Sequence, residues 1–495
     1  MKLPPGPRPV LFLGNALQIP STSPQFTFTK WLEEYGDVVY LRVFQQPMLV
    51  LNTLESARDL LHKRSSIYSD RPKFVLLDEL MGWHNASTIV QYGPRFRRHR
   101  RFIQQTFNQV AINELRAIQE KQISYLLQDI IDKPEQTDDH LQRFSAGIIM
   151  KVTYGADVKS INDPLVQIAH RAELLTIESG TPSATLVDYI PALKYLPTWA
   201  RKAALVKEAV DAMFNVPYEI VKSQIVSSTF SVFIAVIEVT DSTPTSAEDI
   251  RRRLSFPAGV NSLSSEDEED IKRVVGTMHA AAEDTAIFSQ TQCVLSTFIL
   301  AMVLHPQVFN KAQAEMNGVI AIDRLPNFED RDSLPYLESV IKELTTSRWN
   351  VPVPLGLPHR LMDDDVYRDY HIPKGTTVVA NIHAILQNCS QPQLFRPERY
   401  LEDPHLLDPR EVIFGFGRRR CPGRHFADRN VWLVAASLVC STIIGKAKDD
   451  AGREITPEAR FLDGFVRHPA EFPYSIKFRP EKMSALSNWN DALET

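Results

Sequence analysis

The chain has 495 residues, of which 44% are hydrophobic and 23% are charged, proportions that are ordinary for a globular protein with a large core. Its formal net charge of -5 argues against bulk binding to nucleic acid. Its four cysteines have no paired metal-type spacing and are too few for a disulfide framework, which indicates a reducing compartment. No apolar run reaches the roughly 18 residues that a membrane-spanning helix needs.

The N-terminal half predicts a small sheet followed by helices. Asp37–Val43 and Pro47–Leu51 are rich in β-branched residues and predict a β-hairpin. Ser56–His62 predicts a short helix, and the apolar spacing of Ala111–Ile131 predicts a long one. Leu186–Trp199 contains two prolines and predicts a loop with short helical turns.

The stretch from Ser227 to Ser262 breaks this helical pattern. It contains a short apolar run of strand composition, Val232–Val239, and then serines, threonines, prolines and three arginines in succession. Two interpretations stay open, a variant surface insertion and translated non-coding sequence.

A long helix is predicted from Ser264 to Leu304. Ser265 and Glu268 form a capping box at its start, and Pro306 ends the apolar pattern. A helix of about 40 residues is about 60 Å long and would cross the whole domain.

Asp284 and Thr285 are adjacent within this helix. An acid beside an alcohol can pass protons from water and hold a water molecule in place. Both are therefore candidate catalytic residues, although an Asp-Thr pair on a helix is by itself more often an ordinary pair.

Cys421 lies in the segment Phe414–Arg424, which reads Phe-Gly-Phe-Gly-Arg-Arg-Arg-Cys-Pro-Gly-Arg. Three arginines precede the sulfur and a helix is expected to begin just after it, and both features favour the thiolate form. A thiolate held in this way is a metal ligand or a nucleophile. Gly417 and Gly423 let the backbone pass close to a flat group, and Phe414 offers an aromatic wall. A lone cysteine after a basic run is by itself more often a structural thiol.

This segment matches all five fixed positions of Phe-x-x-Gly-x-Arg-x-Cys-x-Gly, and it resembles the haem-binding loop of the cytochrome P-450 family. The resemblance extends from Leu3 to about Pro480. It implies a mainly α, single-domain cytochrome P-450 fold with a small β-rich N-terminal part. It also implies heme b as the cofactor, with Cys421 as the axial thiolate ligand of the iron. Leu51–Glu55, Glu79–Trp83 and Gly464–Pro469 are similar to basidiomycete-type enzymes of the microsomal secondary-metabolism branch.

The resemblance assigns further cofactor-binding residues. Phe414 and Gly423 belong to the haem-binding loop. Arg419, Arg100 and His359 occupy positions that bind the anionic propionates of haem in this family. The residue Phe96 replaces a tryptophan near Arg100, so one indole N–H donor is lost.

Asp284 and Thr285 fall in a segment that resembles the oxygen-activation motif Ala-Gly-x-Asp/Glu-Thr-Thr of the family. The resemblance implies that they deliver protons on the distal side of the haem. Ala282 replaces the usual glycine, which predicts a narrower groove beside the haem.

One scaffold motif departs from the family pattern. Arg399, in Phe395–Tyr400, normally pairs with the Glu and Arg of a Glu-x-x-Arg helix. That helix is predicted from Ser333, but its Glu343 and Arg348 are five residues apart instead of three. Five residues rotate by about 140° around a helix and three by about 60°, so we expect the two side chains on different faces and weaker haem retention.

We expect a haem-dependent monooxygenase that inserts one atom of dioxygen into a lipophilic organic substrate, in secondary metabolism or xenobiotic oxidation. NADPH-cytochrome P-450 reductase would supply electrons at the Cys421 face, where Arg418, Arg420 and Arg424 attract an acidic partner. Three alternatives stay open: a haem-thiolate isomerase or dehydratase that uses no dioxygen, a non-enzymatic haem binder, and a non-functional homologue with a disrupted Glu-x-x-Arg scaffold.

We assign residues 1–20 to a proline-rich hinge or leader, 21–480 to the catalytic domain and 481–495 to a polar C-terminal tail. In the microsomal branch of the family, a segment like Pro4–Pro7 follows a membrane anchor. The sequence contains no such anchor, and two explanations stay open: the protein lacks one, or its true N-terminus lies upstream, which we favour. The expected location is the cytosolic face of the endoplasmic reticulum, with peripheral membrane contact and no nucleic-acid partner.

Overall fold

Helices form most of the chain that the computed structural model describes, which comprises residues 2–179, 186–227, 264–281, 290–344, 351–464 and 466–494. The α-helices are α1 (Pro24–Tyr35), α2 (Leu54–Ala57), α3 (Ser65–Tyr68), α4 (Pro94–Thr106), α5 (Gln109–Glu114), α6 (Arg116–Asp132), α7 (Thr137–Tyr154), α8 (Pro164–Ser179), α9 (Leu186–Tyr189), α10 (Pro197–Ser227), α11 (Ser265–Ala280), α12 (Gln290–Leu304), α13 (Pro306–Val319), α14 (Pro335–Leu344), α15 (Ile382–Leu386), α16 (Arg399–Glu402), α17 (Arg410–Ile413), α18 (Arg424–Ser441) and α19 (Met483–Glu494).

Three small sheets accompany the helices. The first has the strand order β1-β2-β6-β3, the second pairs β4 with β5, and the third has the order β8-β7-β9. The strands are β1 (Val38–Val43), β2 (Gln46–Leu51), β3 (His359–Arg360), β4 (Asp365–Tyr367), β5 (Tyr370–Ile372), β6 (Thr377–Ala380), β7 (Thr442–Lys448), β8 (Glu454–Ile455) and β9 (Tyr474–Phe478).

The predicted hairpin is confirmed, but it does not form a sheet of its own. Strands β1 and β2 pair antiparallel, with Val38 opposite Leu51. Strand β6 then pairs parallel to β2, with Met48 beside Thr377, and β3 completes the sheet. The β-rich part is therefore built jointly by the N-terminal residues and a segment more than three hundred residues later in the chain.

Two of the predicted helices are divided differently in the structure. The helix expected over Ala111–Ile131 is broken at Leu115, and Asn108 starts its first part by accepting hydrogen bonds from two backbone N–H groups. The long helix begins after Ser264, whose hydroxyl accepts the N–H of Asp267 at 3.1 Å, so the N-cap is Ser264 and not Ser265. Two separate helices, α11 and α12, lie within the predicted range, and residues 282–289 between them are outside the described residues. Pro306 follows as the first residue of α13.

Helices α4 and α11 are joined by a buried ion cluster. Asp270 of α11 has no exposed side-chain surface, and its carboxylate contacts Arg95, Arg98 and His99 of α4. Burial alone would raise the pKa of Asp270, but the hydrogen bonds from these three side chains outweigh it and lower the pKa. The cluster fixes α4, the helix that carries Arg100, against α11.

Helix α18 lies at the centre of the largest hydrophobic cluster. Every residue from Asn430 to Ser441 is buried, so this C-terminal part of the helix has no face exposed to solvent. The same cluster contains residues of α6, α7, α12 and α13. The start of α18, directly after Cys421, is therefore held by a rigid core element.

Helix α19 occupies the segment that we expected to be a polar tail. Ala485 and Leu486 are buried, and the hydroxyl of Ser124 on α6 donates to Asn490 of α19 at 2.5 Å. Lys482, which is 2% exposed, donates to the carbonyl oxygens of Ala321 and Arg324. The sequence did not predict this helix, because its few apolar residues are separated by many polar ones.

Within the described ranges, no single helix has the length and apolar character needed to cross a membrane. Helices α12 and α13 meet these criteria only when taken together, and they are bent by 105° relative to each other.

Candidate functional site

The segment before α18 forms a closed loop that ends at Cys421. The N–H of Cys421 donates to the carbonyl oxygen of Phe414 at 2.8 Å. Gly417 has a φ of +55°, and a Cβ at this position would lie 2.0 Å from the carbonyl oxygen of Leu61. The loop therefore packs directly on the π-helical turn Arg58–Lys63, and only glycine satisfies both the backbone conformation and the contact.

Cys421 is half-buried at the N-terminal end of α18, and the backbone N–H of Gly423 is hydrogen-bonded to its sulfur. Burial raises the pKa of the Cys421 thiol. The hydrogen bond from Gly423 and the charges of Arg100, Arg424 and Arg420 lower it, but they offset the burial only in part. The cations therefore favour the thiolate as expected, and a bound metal ion would supply the remaining stabilisation that deprotonates the thiol.

Arg419 is 9% exposed and points away from the loop. Its Nε donates to the carbonyl oxygen of Ser69 at 2.7 Å, and its Nη2 donates to that of Val90 at 2.6 Å. The guanidinium lies 3.8 Å from the ring centroid of Phe96, so the residue that replaces a tryptophan packs on the arginine. Its Nη1 is buried and has no hydrogen-bond partner among the described residues. Burial lowers the pKa of Arg419 to about 10.

Arg71 lies next to Arg419, and the sequence did not suggest a role for it. It is 4% exposed, its Nε donates to the carbonyl oxygen of Thr88, and its Nη1 donates to those of Leu357 and Pro358 at 2.8 and 2.7 Å. Burial, followed by the charge of Arg419, holds its pKa well below the ordinary value.

His359 lies beside the two arginines but is neutral. Its Nδ1 is 2.7 Å from the carbonyl oxygen of Tyr68, which can only accept, so Nδ1 carries the proton. Burial, together with the charges of Arg71 and Arg419, lowers the pKa of His359 to about 3. We expected a cationic partner for a propionate here, but the ring contributes no charge at neutral pH.

The arrangement of charges fits a bound anion. Arg100 of α4 is half-buried, acts on both Cys421 and Arg419, and makes no ion pair with a described carboxylate. Asp70, whose charge acts on Arg71 and Arg419, is itself bonded to Arg360 at 3.0 Å. Buried charges are normally paired, so an excess of buried arginines predicts an anionic ligand such as the two propionates of haem.

A cavity opens beside the loop, between α12, α14 and α18. Its mainly apolar wall is formed by Thr291, Val294, Ile341, Lys342, Val351, Pro352, Val353, Arg410, Ile413, Phe414, Ala427, Asp428 and Val431. The predicted catalytic residues Asp284 and Thr285, and Ala282 before them, lie outside the described residues. The structure thus places Arg100, His359, Arg419, Phe414, Gly423 and Cys421 in one region of the molecule, and it adds Arg71 to them.

Of the scaffold set Glu343, Arg348 and Arg399, the contact between Glu343 and Arg399 is present. Glu343 and Arg399 form a salt bridge of 3.1 Å, and their side chains are 1% and 5% exposed. Arg399 also donates to the carbonyl oxygens of Ser390 and Leu394, and Glu343 accepts the N–H of Arg396 at 3.0 Å. Arg348 and the residues before it, where the spacing is altered, lie outside the described residues.

Comparisons with known proteins agree with this geometry. A family model described as Cytochrome P450 matches residues 4–441. Cytochrome P450 monooxygenase 176 from Postia placenta is 38% identical over 98% of this chain and 92% of its own length. Cytochrome P450 monooxygenase claT from Ampulloclitocybe clavipes is 37% identical over 98% and 93%, and tryptamine 4-monooxygenase from Psilocybe cyanescens is 36% identical over 98% and 94%. The chain therefore belongs to the cytochrome P450 family, whose members bind haem through a cysteine thiolate, and it is a monooxygenase of the fungal type.

Proposed function

We propose that Cys421 is the axial ligand of the haem iron and that the enzyme inserts one atom of dioxygen into a lipophilic organic substrate, in secondary metabolism or xenobiotic oxidation. One observation carries the proposal: a half-buried sulfur at the start of α18 lies near a buried group of arginines that lacks matching carboxylates within the described part of the chain. Bound haem supplies the activation of dioxygen, and thiolate ligation favours O–O cleavage. The apolar wall of the cavity beside Phe414 supports a lipophilic substrate.

The other residues have supporting roles in this proposal. Arg71, Arg100 and Arg419 would bind the propionates, and Nη1 of Arg419, which has no hydrogen-bond partner among the residues that the structure describes, offers a donor for one of them. Phe414 and Gly423 would flank the cofactor. The carboxyl of Asp284 and the hydroxyl of Thr285 would hold water and pass protons toward the substrate side, which is the role that their residue types permit.

A carbon monoxide difference spectrum of the expressed protein tests the ligand assignment. We expect a thiolate-type band for the wild type and its loss in Cys421→Ser, whereas Cys389→Ser keeps the band because Cys389 lies near Leu386 and outside the loop. A wild-type protein with no thiolate-type band would refute the proposal and favour the non-functional homologue. A band without any reductase-dependent product favours the non-enzymatic haem binder, and product formation without dioxygen favours the isomerase or dehydratase.

The proposed electron donor is NADPH-cytochrome P-450 reductase, docked on the Cys421 face. Arg418 is exposed there, and Arg420 and Arg424 are half-buried beside it, so this face is positively charged. We expect Arg418→Glu to lower reductase-supported turnover per bound haem while peroxide-supported turnover stays unchanged, because the charge of Arg418 is not among those that act on the Cys421 thiol. Equal losses in both assays would contradict a docking role.

The proposed location is the cytosolic face of the endoplasmic reticulum, with peripheral contact to the bilayer. Phe12, Leu17 and Tyr195 are 76%, 76% and 79% exposed. Phe44 connects the segment around Phe12 with the segment that leads to Tyr195. Its N–H donates to the carbonyl oxygen of Leu13, and its ring centroid lies 5.5 Å from that of Tyr189. Exposed apolar side chains in one area are typical of a membrane contact.

Flotation of the full chain with phospholipid vesicles tests this contact. We expect Phe12→Asp to reduce vesicle binding, whereas Ile322→Asp, at a 65% exposed position distant in sequence from both segments, leaves it unchanged. Equal binding by both variants would exclude Phe12 from the contact.

A further inference from the structure

A network of ion pairs, separate from the salt bridge of Glu343, lies between α14 and α18. The guanidinium of Arg331 contacts Asp428 at 2.7 Å and Glu338 at 3.0 Å. The guanidinium of Arg410 contacts the same two carboxylates, Glu338 at 2.6 Å and Asp428 at 3.2 Å. The side chains of these four residues are only 19% to 26% exposed, so the network is partly shielded from solvent.

The members of the network lie on both sides of the loop that ends at Cys421. Asp428 belongs to the first turns of α18, directly after the loop. Arg410 begins the short helix α17, which leads into Phe414 at the start of the loop. Glu338 belongs to α14, the helix that also carries Glu343. Arg410 therefore connects both ends of the loop to one helix.

Arg410 is itself held firmly at this position. Its Nε donates to Asp408 at 2.9 Å, and its backbone N–H donates to the same carboxylate at 3.0 Å. Its carbonyl oxygen accepts a hydrogen bond of 3.2 Å from Nη2 of Arg420, the residue directly before Cys421. A chain of contacts thus runs from α14 through Arg410 to the residue next to the sulfur.

We propose that Arg410 is a positioning residue that holds the haem-binding loop in place for the cofactor, an inference that rests on the proposed role of Cys421. The contact of Arg410 with Glu338 is a second connection from α14, beside the salt bridge of Glu343. It is important because the spacing between Glu343 and Arg348 is altered, and this contact ties α14 to the loop without using Arg348. Arginine is suited to the task since its planar fork serves Glu338, Asp408 and Asp428 together, which a lysine cannot do.

The rate of haem loss from the full-length holoprotein tests the proposal. Haem transfer to excess apomyoglobin is measured for the wild type, Arg410→Gln and Asp428→Asn. We expect about tenfold faster transfer from Arg410→Gln, because partly buried carboxylates lose a shared partner. The matched control is Glu411→Gln, whose salt bridge with Arg58 is about half exposed (48% and 47%) and is expected to matter little.

A second readout does not depend on bound haem. Hydrogen–deuterium exchange of the haem-free full-length protein is expected to show faster exchange at residues 414–424 in Arg410→Gln, with no change in β1 and β2. Arg410→Lys is expected to restore part of the protection. If Arg410→Gln and Asp428→Asn act through one network, the double variant loses haem more slowly than the product of the two single effects predicts.

Several outcomes would overturn the proposal. Haem transfer within twofold of the wild type in Arg410→Gln, an equal acceleration in Glu411→Gln, or unchanged exchange at 414–424 would each do so. If Arg410→Gln does not fold, Asp428→Asn and Arg410→Lys decide the question by the same criteria. A wild-type protein without a thiolate-type band would instead refute the proposed role of Cys421, so the two failures are distinguishable.

Discussion

At the scale of single residues, burial decides the charge of the groups around Cys421. Arg71 and Arg419 stay cationic although burial lowers their pKa values, whereas the same burial keeps His359 neutral. An arginine starts so far above neutral pH that a large decrease leaves it charged, and a histidine starts too low for that. The arginines therefore supply the charge of the site, and His359 supplies a hydrogen bond to the carbonyl of Tyr68.

The neutral His359 predicts a pH dependence of stability in the haem-free protein. Its pKa is about 3 in the folded chain and about 6.5 when unfolded, so the unfolded state binds more protons between these values. Stability is then lost as the pH falls through this window, by about 2 kcal/mol between pH 7 and pH 5 from this group alone. Urea unfolding at the two pH values measures the difference. His359→Gln is expected to remove this part of it, since the amide N–H can still donate to Tyr68.

The exposed His62 provides the control for this prediction. His62→Gln is expected to keep the wild-type difference between pH 7 and pH 5. A full difference in His359→Gln would show that other groups cause the acid sensitivity.

The sequence predicted individual residues where a motif fixes them and missed those that only the fold brings together. Cys421, Arg419 and Gly423 were predicted from the resemblance of one loop to a family motif. Arg71 could not be found in this way, because its three acceptors belong to segments distant in sequence, such as Leu357. Burial of Cys421, which raises the pKa of its thiol, was also not predictable, since neighbouring arginines are visible in the sequence and desolvation is not.

At the scale of elements, the helix start at Ser264 and the break at Leu115 show where local signals compete. Ser264 and Ser265 are equally good capping residues, and only the hydroxyl of Ser264 meets the N–H of Asp267. The interruption at Leu115 carries no glycine or proline, so the apolar period continued across it in the sequence. Periodicity predicts that a helix exists more reliably than it predicts the ends of that helix.

The loop before Cys421 makes a graded prediction about its glycines. Gly417→Ala combines a positive φ with a Cβ contact of 2.0 Å to the carbonyl of Leu61, so it should destabilise the loop most. Gly415→Ala has a φ of +74° but open space, and should cost about 1–2 kcal/mol from the backbone alone. Haem occupancy after expression and urea unfolding of the haem-free protein measure both effects.

Gly423→Ala is the control within the same loop, because its φ is -85° and its nearest neighbour, in Phe107, lies at 3.9 Å. It should leave the unfolding free energy of the haem-free protein nearly unchanged. Equal destabilisation by all three alanines would mean that the packing on Leu61 is not what holds the loop.

At the scale of the whole molecule, the C-terminal helix α19 closes the structure against α6. Leu486 is 3% exposed within the main hydrophobic cluster. Leu486→Ala is expected to lower the free energy of unfolding by about 2–5 kcal/mol, because it leaves a cavity. Met483→Ala, on the same helix but 47% exposed, should change it by no more than about 0.5 kcal/mol. Equal effects of the two substitutions in thermal unfolding would show that α19 is not docked.

The fold class was predictable because one loop motif identified a family whose architecture is shared over the whole chain. Which strands form each sheet was not predictable, since β6 pairs with β2 across more than three hundred residues and its sequence gives no indication of its partner. Parallel pairing of this kind depends on the global topology and not on any local pattern.

The buried arginines near Cys421 (Arg71, Arg100 and Arg419) also determine when during synthesis the cofactor site can form. The bond from Arg419 to Ser69 joins residues 350 positions apart, and that from Arg71 to Leu357 joins residues 286 apart. A ribosome that adds about 5–20 residues per second needs about 20–70 s to pass from Arg71 to Arg419. No nascent fragment that ends before residue 421 contains the sulfur of Cys421 together with Arg71, Arg100 and Arg419. Cofactor capture must therefore come late in synthesis, and until then the N-terminal half has to stay soluble while its half of the anion site is open to water.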